Sequence, residues 1–216
     1  NYIYPYYNRG LLYHELEEYN KAVEDFSRGI EIDPDYYYVY YGRALTYEDL
    51  EEYDKALEDL NRCIDIAPDK LDGYYARAYL YEALEKYDKA LEDYNRCIEI
   101  DPKSQRSYYR RAEIYEALEE YDKALEDFNR CIEVAPDDPD AYNSRAILYW
   151  DLGEYDKALE EYTRCILVFP NYIYPYYNRG LLYHELEEYD KALEDYNRCI
   201  EIDPDYYYVY YGRALT

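Results

Sequence analysis

The chain has 216 residues, enough to bury a sizeable core, and carries 50 Asp and Glu against 24 Lys and Arg, a formal net charge of −26. That balance disfavours nucleic acid, anionic membrane surfaces and acidic partners, and it suits basic or aromatic ones. The longest apolar run is far short of the roughly 20 residues a membrane helix needs, and no charged-then-apolar leader opens the chain, so no membrane association is expected.

Along the chain proline recurs at Pro34, Pro68, Pro102, Pro136, Pro170 and Pro204, always 34 residues apart. A fixed period of that size marks a solenoid, whose units are too small to bury their own apolar faces and must stack. Six units follow in order, 3–36, 37–70, 71–104, 105–138, 139–172 and 173–206, with a partial first helix at 207–216. A periodic chain has no internal boundary, so one elongated domain over 1–216 is expected.

Each unit opens with a motif seen plainly in Tyr74 to Leu84, where Tyr74, Arg77, Ala78, Tyr81 and Leu84 share a helical face. After a short link a second helix begins, as at Tyr87: Ala90, Leu91, Tyr94, Cys97 and Ile98 form its apolar stripe and Pro102 ends it. Asp88 stands where a carboxylate can meet the free N–H groups of the first turn, and Glu92 precedes Arg96 by four residues, the favourable order for a surface ion pair. The run Tyr36 to Tyr41 has strand-like propensity where the repeat requires helix; stacking should override it, and exposed at a frayed end it is an aggregation risk.

Arg9, Arg43, Arg77, Arg111, Arg145 and Arg179 recur on the packing stripe of every first helix. They read either as a ladder of anion sites or as partners of Asp25, Asp59, Asp93, Asp127, Glu161 and Asp195, and the second reading is favoured because an unpaired buried charge is costly. Cys63, Cys97, Cys131, Cys165 and Cys199 recur at one slot of the second helix, with Gly29 in that slot first. Stacked helices hold such residues roughly 8–10 Å apart, too far for a disulfide. A small buried residue at a close helix contact is expected, in a reducing, cytoplasmic setting.

A longer period is superimposed. Residues 171–216 repeat residues 1–46 with changes only at Asn20, Val23, Phe26, Ser27 and Gly29, which become Asp190, Leu193, Tyr196, Asn197 and Cys199. This points to duplication of a five-unit block or to a longer parent array.

In the second unit Tyr40, Ala44, Tyr47, Tyr53, Ala56, Leu60, Cys63 and Pro68 supply a bulky, small, aromatic, aromatic, small, bulky, small, proline sequence that resembles the tetratricopeptide repeat family, and the resemblance extends over the whole chain. The recurrent arginine and cysteine depart from the family pattern, and the turn glycine survives only as Gly153. The related RNA-binding pentatricopeptide repeats differ in repeat length and are usually basic.

The resemblance implies an all-α fold, an α-solenoid wound as a right-handed superhelix. It also implies a concave groove lined by the first helices, where Tyr4, Tyr7, Tyr38, Tyr41, Tyr75, Tyr79, Tyr109, Tyr174 and Tyr177, with Trp150, are candidate peptide contacts, as are Tyr208 and Tyr211. Glu15, Asp49, Glu82, Glu116, Asp151 and Glu185, near His14 and His184, are expected on the same side and favour cationic ligand groups. Arg106 and Arg110 match two basic positions of a carboxylate clamp, but Tyr41, Leu45 and Ala76 replace the rest. They are a candidate local anion or peptide-terminus spot only.

No catalytic constellation, metal-ligand spacing or cofactor loop is recognised, so neither an enzyme nor a bound cofactor is expected. The leading expectation is a scaffold that binds a protein or an extended basic or aromatic peptide. The alternatives are an array assembling head-to-tail through the partial helix at 207–216 and the first unit, or a designed or trimmed chain with no natural ligand.

Overall fold

A computed structural model of the chain describes residues 2–216, which form thirteen helices and, among the described residues, no strand. In order they are α1 (Ile3–Glu15), α2 (Tyr19–Ile32), α3 (Tyr37–Asp49), α4 (Tyr53–Ile66), α5 (Leu71–Ala83), α6 (Tyr87–Ile100), α7 (Gln105–Ala117), α8 (Tyr121–Val134), α9 (Pro139–Asp151), α10 (Tyr155–Val168), α11 (Tyr174–Glu185), α12 (Tyr189–Ile202) and α13 (Tyr207–Leu215). Contacts gather into two compact units, Asn1–Ser107 and Tyr108–Thr216.

In the first unit α1 packs on α2, α3 on α4 and α5 on α6, while α2 meets α3 and α4 meets α5. The second unit repeats this, with α9 on α10, α11 on α12, and further contacts of α8 with α9, α10 with α11 and α12 with α13. Within each unit neighbouring first helices also touch, α1 with α3 and α3 with α5, then α9 with α11 and α11 with α13. Each unit therefore presents its first helices as a close-set layer.

No repeat closes its own core. Ala44, Ala56 and Leu60 of the second repeat bury themselves with Ala76 and Leu80 of the third. Ala146, Ala158 and Tyr162 of the fifth do so with Leu182 of the sixth. Burying a side chain such as Leu80 or Leu182 contributes about 1.5–3 kcal/mol, and that stabilisation exists only when the next repeat is in place. The tyrosine-rich run from Tyr37 is helical for this reason: Val39 and Tyr40 are drawn into the core around Phe26.

The turn between the paired helices is closed by backbone. Glu18 N–H reaches Tyr13 C=O at 2.8 Å and Glu17 N–H reaches His14 C=O at 2.9 Å, the two bonds of a Schellman motif. The residue between them must be left-handed, which favours glycine. Glycine fills that place once, as Gly153 at φ +73; Glu17, Glu51, Glu85, Glu119 and Glu187 take up the left-handed conformation at φ of 56–61.

Two local expectations are corrected. No side-chain hydrogen bond caps α6, whose N-cap is Lys86; Asp88 stands in the first turn as a charge rather than as a cap. Arg96 pairs at 2.7 Å not with Glu92 but with Glu99, three residues on. Its guanidinium also lies 5.9 Å from the Tyr74 ring centroid. Arg28, Arg130 and Arg198 choose Glu31, Glu133 and Glu201 in the same way.

The recurrent arginines all find the acid expected of them. Arg9, Arg43, Arg77, Arg111 and Arg179 grip Asp25, Asp59, Asp93, Asp127 and Asp195 through both Nε and Nη2 at 2.6–2.8 Å, and Arg145 reaches Glu161. These five aspartates are buried. A free Nη1 then crosses to the preceding repeat, from Arg43 to Ser27 at 2.9 Å, from Arg77 to Asn61, from Arg145 to Asn129 and from Arg179 to Thr163 at 2.8 Å. Each of these arginines is thus a staple between repeats, with its fork committed to structure.

All five cysteines are free and buried. Cys97, Cys165 and Cys199 point their thiols at the backbone C=O of Leu71, Pro139 and Ile173, at the start of the first helix of their own repeat, at 3.7–3.8 Å. Burial pushes each thiol up to about 12, so none is a nucleophile at neutral pH.

Candidate functional site

The layer of first helices carries the candidate aromatic residues, because a helix whose one stripe packs on its partner must turn the opposite stripe outward. In the first unit Tyr4, Tyr38 and Tyr79 are exposed and Tyr7, Tyr41 and Tyr75 half-buried; in the second, Tyr174 is exposed and Tyr109, Trp150 and Tyr177 half-buried. The tyrosines that occupy the matching slot of the second helices, Tyr94, Tyr162 and Tyr196, are fully buried. Position along the repeat, not residue type, decides which rings meet solvent.

The exposed rings are ordered by their neighbours. Tyr7 lies edge-on to Tyr36 at 5.7 Å and tilted to Tyr38 at 6.0 Å, with Tyr4 against Tyr36 at 5.9 Å. The duplicate rebuilds the cluster, with Tyr174 and Tyr177 edge-on to Tyr206 at 6.2 and 5.5 Å. Edge-to-face contacts of this kind hold rings in fixed orientations at little entropic cost. Tyr75 rests edge-on against Tyr94 at 5.7 Å, and Tyr109 against Phe128 at 5.8 Å while its hydroxyl shares a 2.9 Å hydrogen bond with Ser144.

The basic candidates have partners. The Arg106 guanidinium lies 4.4 Å from the Tyr75 centroid and 3.9 Å from Asp72, and Arg110 contacts Glu113 at 3.1 Å. A cation stacked on Tyr75 and balanced by Asp72 was not foreseen; the signal for it is that residues 72, 75 and 106 fall on successive first helices.

The acidic residues do not form one row. Glu15, Asp49, Asp151 and Glu185 share a slot at the end of the first helix, whereas Glu82 and Glu116 occupy the preceding slot, together with His14, Glu48, Trp150 and His184. The two slots face each other between repeats at an offset of 35 residues. His14 Nε2 lies 3.5 Å from Asp49, and Trp150 donates its indole N–H to Glu185 at 2.9 Å, where Tyr155 adds a second bond at 3.1 Å. Glu82 accepts from the Tyr94 hydroxyl at 2.8 Å. Burial first, and the neighbouring Asp49 or Asp151 second, push the Glu48 and Glu116 carboxyls above their ordinary range.

Shallow depressions of about 460–550 Å³ recur where successive turns meet. One is lined by Tyr53 and Lys55 with Leu84 of the next repeat, and another by Tyr155 and Lys157 with Leu186. Among the described residues no group of three His, Cys, Asp or Glu could hold a metal ion, and no helix is long and apolar enough to cross a membrane.

Comparison with known proteins places these features. No curated protein matches the sequence. Among solved structures the chain is similar to Pseudomonas aeruginosa pilF, at 15% identity with a TM-score of 0.76 over 99% of this chain and 97% of that one. It is similar to YrrB, described as a TPR protein with an unusual peptide-binding site, at 22% identity with a TM-score of 0.65 over 89% and 99%. MamA matches at 20% identity with a TM-score of 0.69 over 78% and 92%. These likenesses are of fold. A family model described as Tetratricopeptide repeat matches residues 3–36, 37–70, 139–172 and 173–206, and a second with the same description matches 76–149. The chain belongs to the tetratricopeptide repeat family, an all-α fold typical of protein-interaction scaffolds that are generally not enzymes.

Proposed function

We propose that the chain is a scaffold that holds an extended basic or aromatic peptide on the aromatic residues of its first helices, Tyr4, Tyr7, Tyr38, Tyr41, Tyr75 and Tyr79 in the first unit or Tyr109, Trp150, Tyr174 and Tyr177 in the second. The observation that carries this reading is the division of the tyrosines. Mid-helix Tyr94, Tyr162 and Tyr196 on the second helices are buried, while Tyr4, Tyr38, Tyr79 and Tyr174 on the first helices keep ring surface in solvent, with edge-to-face contacts at Tyr4 and Tyr174. Stiff rings with hydroxyl tips suit a peptide backbone and apolar side chains, and the net charge of −26 selects for basic ones. The peptide-binding site named for YrrB supports the reading. Arg106 contributes an anion or peptide-terminus contact only by leaving Asp72, and Arg110 only by leaving Glu113.

The test is capture from a library of basic and aromatic peptides by the wild-type chain and by the double variant Tyr75→Ala, Tyr109→Ala. Capture should be lost in the variant while far-UV circular dichroism is unchanged; equal capture overturns the reading.

A further inference from the structure

Tyr7 and Tyr75 stand at the same place in their repeats, and each bears a residue from the matching slot of the next first helix. Tyr38 lies on Tyr7 with centroids 6.0 Å apart, and Arg106 lies on Tyr75 with its guanidinium 4.4 Å from the centroid. From the second repeat on, that slot holds Tyr38, Asp72, Arg106, Asp140, Tyr174 and Tyr208, so Arg106 is its one cation.

Arg106 is held unlike the recurrent arginines. Its Nη2 lies 3.9 Å from Asp72, beyond hydrogen-bond length, and the two side chains are 55% and 43% exposed. The Arg77 fork, in the repeat before, closes on the buried Asp93 at 2.7–2.8 Å with a side chain only 20% exposed. An ion pair and a ring contact in water are each weak, and salt screens the first. The Arg106 head is therefore a loosely held occupant, whereas the place it occupies is firm. Tyr75 rests edge-on against the fully buried Tyr94 at 5.7 Å, and Asp72 stands one turn before Tyr75 on the same face of α5.

We propose that Asp72 and Tyr75 form a seat for one arginine side chain of a bound peptide, and that Arg106 fills this seat in the free chain as a tethered competitor. The occupant gives the chemistry: a planar guanidinium lies over the ring while its N–H donors turn to a carboxylate, which a lysine ammonium does less well. An arriving arginine makes the contacts that Arg106 gives up, and the Arg106 head moves into solvent. The inference rests on the peptide-scaffold reading and names one side chain of that peptide.

The probe is acetyl-(Arg-Gly)4-amide, with citrulline in place of arginine as the neutral control, titrated by calorimetry. Arg106→Gln should bind the arginine peptide about fivefold more tightly than wild type. Lys103→Gln, the same loss of charge three residues away, should change affinity by less than about twofold. Adding Asp72→Asn or Tyr75→Leu to Arg106→Gln should abolish the gain. In wild type the Arg106 side-chain resonances, shifted by the Tyr75 ring, should move toward free-arginine values as peptide is added.

Equal gains in Arg106→Gln and Lys103→Gln would reduce the effect to net charge and overturn the competitor, as would Arg106 resonances that stay in place while peptide binds. A gain that survives Asp72→Asn and Tyr75→Leu overturns the seat, and so does equal binding of the arginine and citrulline peptides. The scaffold reading outlives either failure as long as Tyr75→Ala with Tyr109→Ala still abolishes capture of basic or aromatic peptides. If wild type and Arg106→Gln bind no such peptide, both fall. Circular dichroism of each variant should match wild type, since every substituted side chain reaches solvent.

Discussion

Residues 1–46 and 171–216 are nearly one sequence, yet they are buried differently. Leu12 is 51% exposed and its counterpart Leu182 0%, because α11 is packed between α9, α10 and α12 whereas α1 meets α2 and α3. The difference reverses further along. Tyr40 on α3 is 8% exposed and Tyr210 on α13 40%, for α3 has α4 and α5 beside it and α13 only α11 and α12. What stays constant is what each repeat makes by itself: the Schellman turn with a left-handed Glu17 or Glu187, and the Arg–Asp fork. The burial of a helix in this chain is therefore set by its neighbours, and the turn and fork of each repeat by that repeat's own residues.

The comparison can be broken most sharply at the arginines. Arg179→Ala strands the buried carboxylate of Asp195 and removes the link to Thr163, and should cost about 3–5 kcal/mol. Arg9→Ala also strands a buried carboxylate, Asp25, but the Arg9 side chain is 55% exposed, so water reaches the vacated site and the cost should be smaller. Urea unfolding of the two variants checks this, and equal losses would mean that the fork rather than its burial carries the energy.

Leu182→Ala should cost about 2–5 kcal/mol by emptying a filled core site, while Leu12→Ala stays within about 0.5 kcal/mol. Hydrogen exchange on α11 and α1 amides locates each loss.

The turns sharpen the comparison from the other side. Glu17→Gly and Glu187→Gly each relieve a left-handed residue and should stabilise by about 1 kcal/mol, equally in both copies because the turn is local. Gly153→Ala should lose a similar amount by thermal melting.

The smallest effect lies at Glu116, in the slot that both copies fill with His14 and His184. Its folded-state carboxyl titrates above its unfolded value, so it favours the fold at low pH and that contribution is lost as pH rises through the folded value. Glu116→Gln should therefore melt slightly above wild type at pH 7, and the gap should close below about pH 4, where the carboxyl is protonated in both states. A gap that persists at low pH would assign the effect to packing.

Much of this molecule was determined by its sequence alone: the 34-residue period, the paired helices, the arginine–aspartate pairing and the small cysteine slot. All of these recur at fixed offsets inside a repeat or between adjacent ones, so a single chain displays each of them five or six times over. The tertiary structure decided the rest. Arg96 takes Glu99 while its guanidinium sits 5.9 Å from the Tyr74 ring, and Arg106 is drawn over Tyr75. Glu116 faces Asp151 because stacking aligns residues 35 apart, and Tyr162 loses its acceptor because Trp150 stands where an earlier repeat has Glu82. Such features depend on which unlike side chains the stack brings face to face, and periodicity, which treats equivalent positions as equal, carries no record of that.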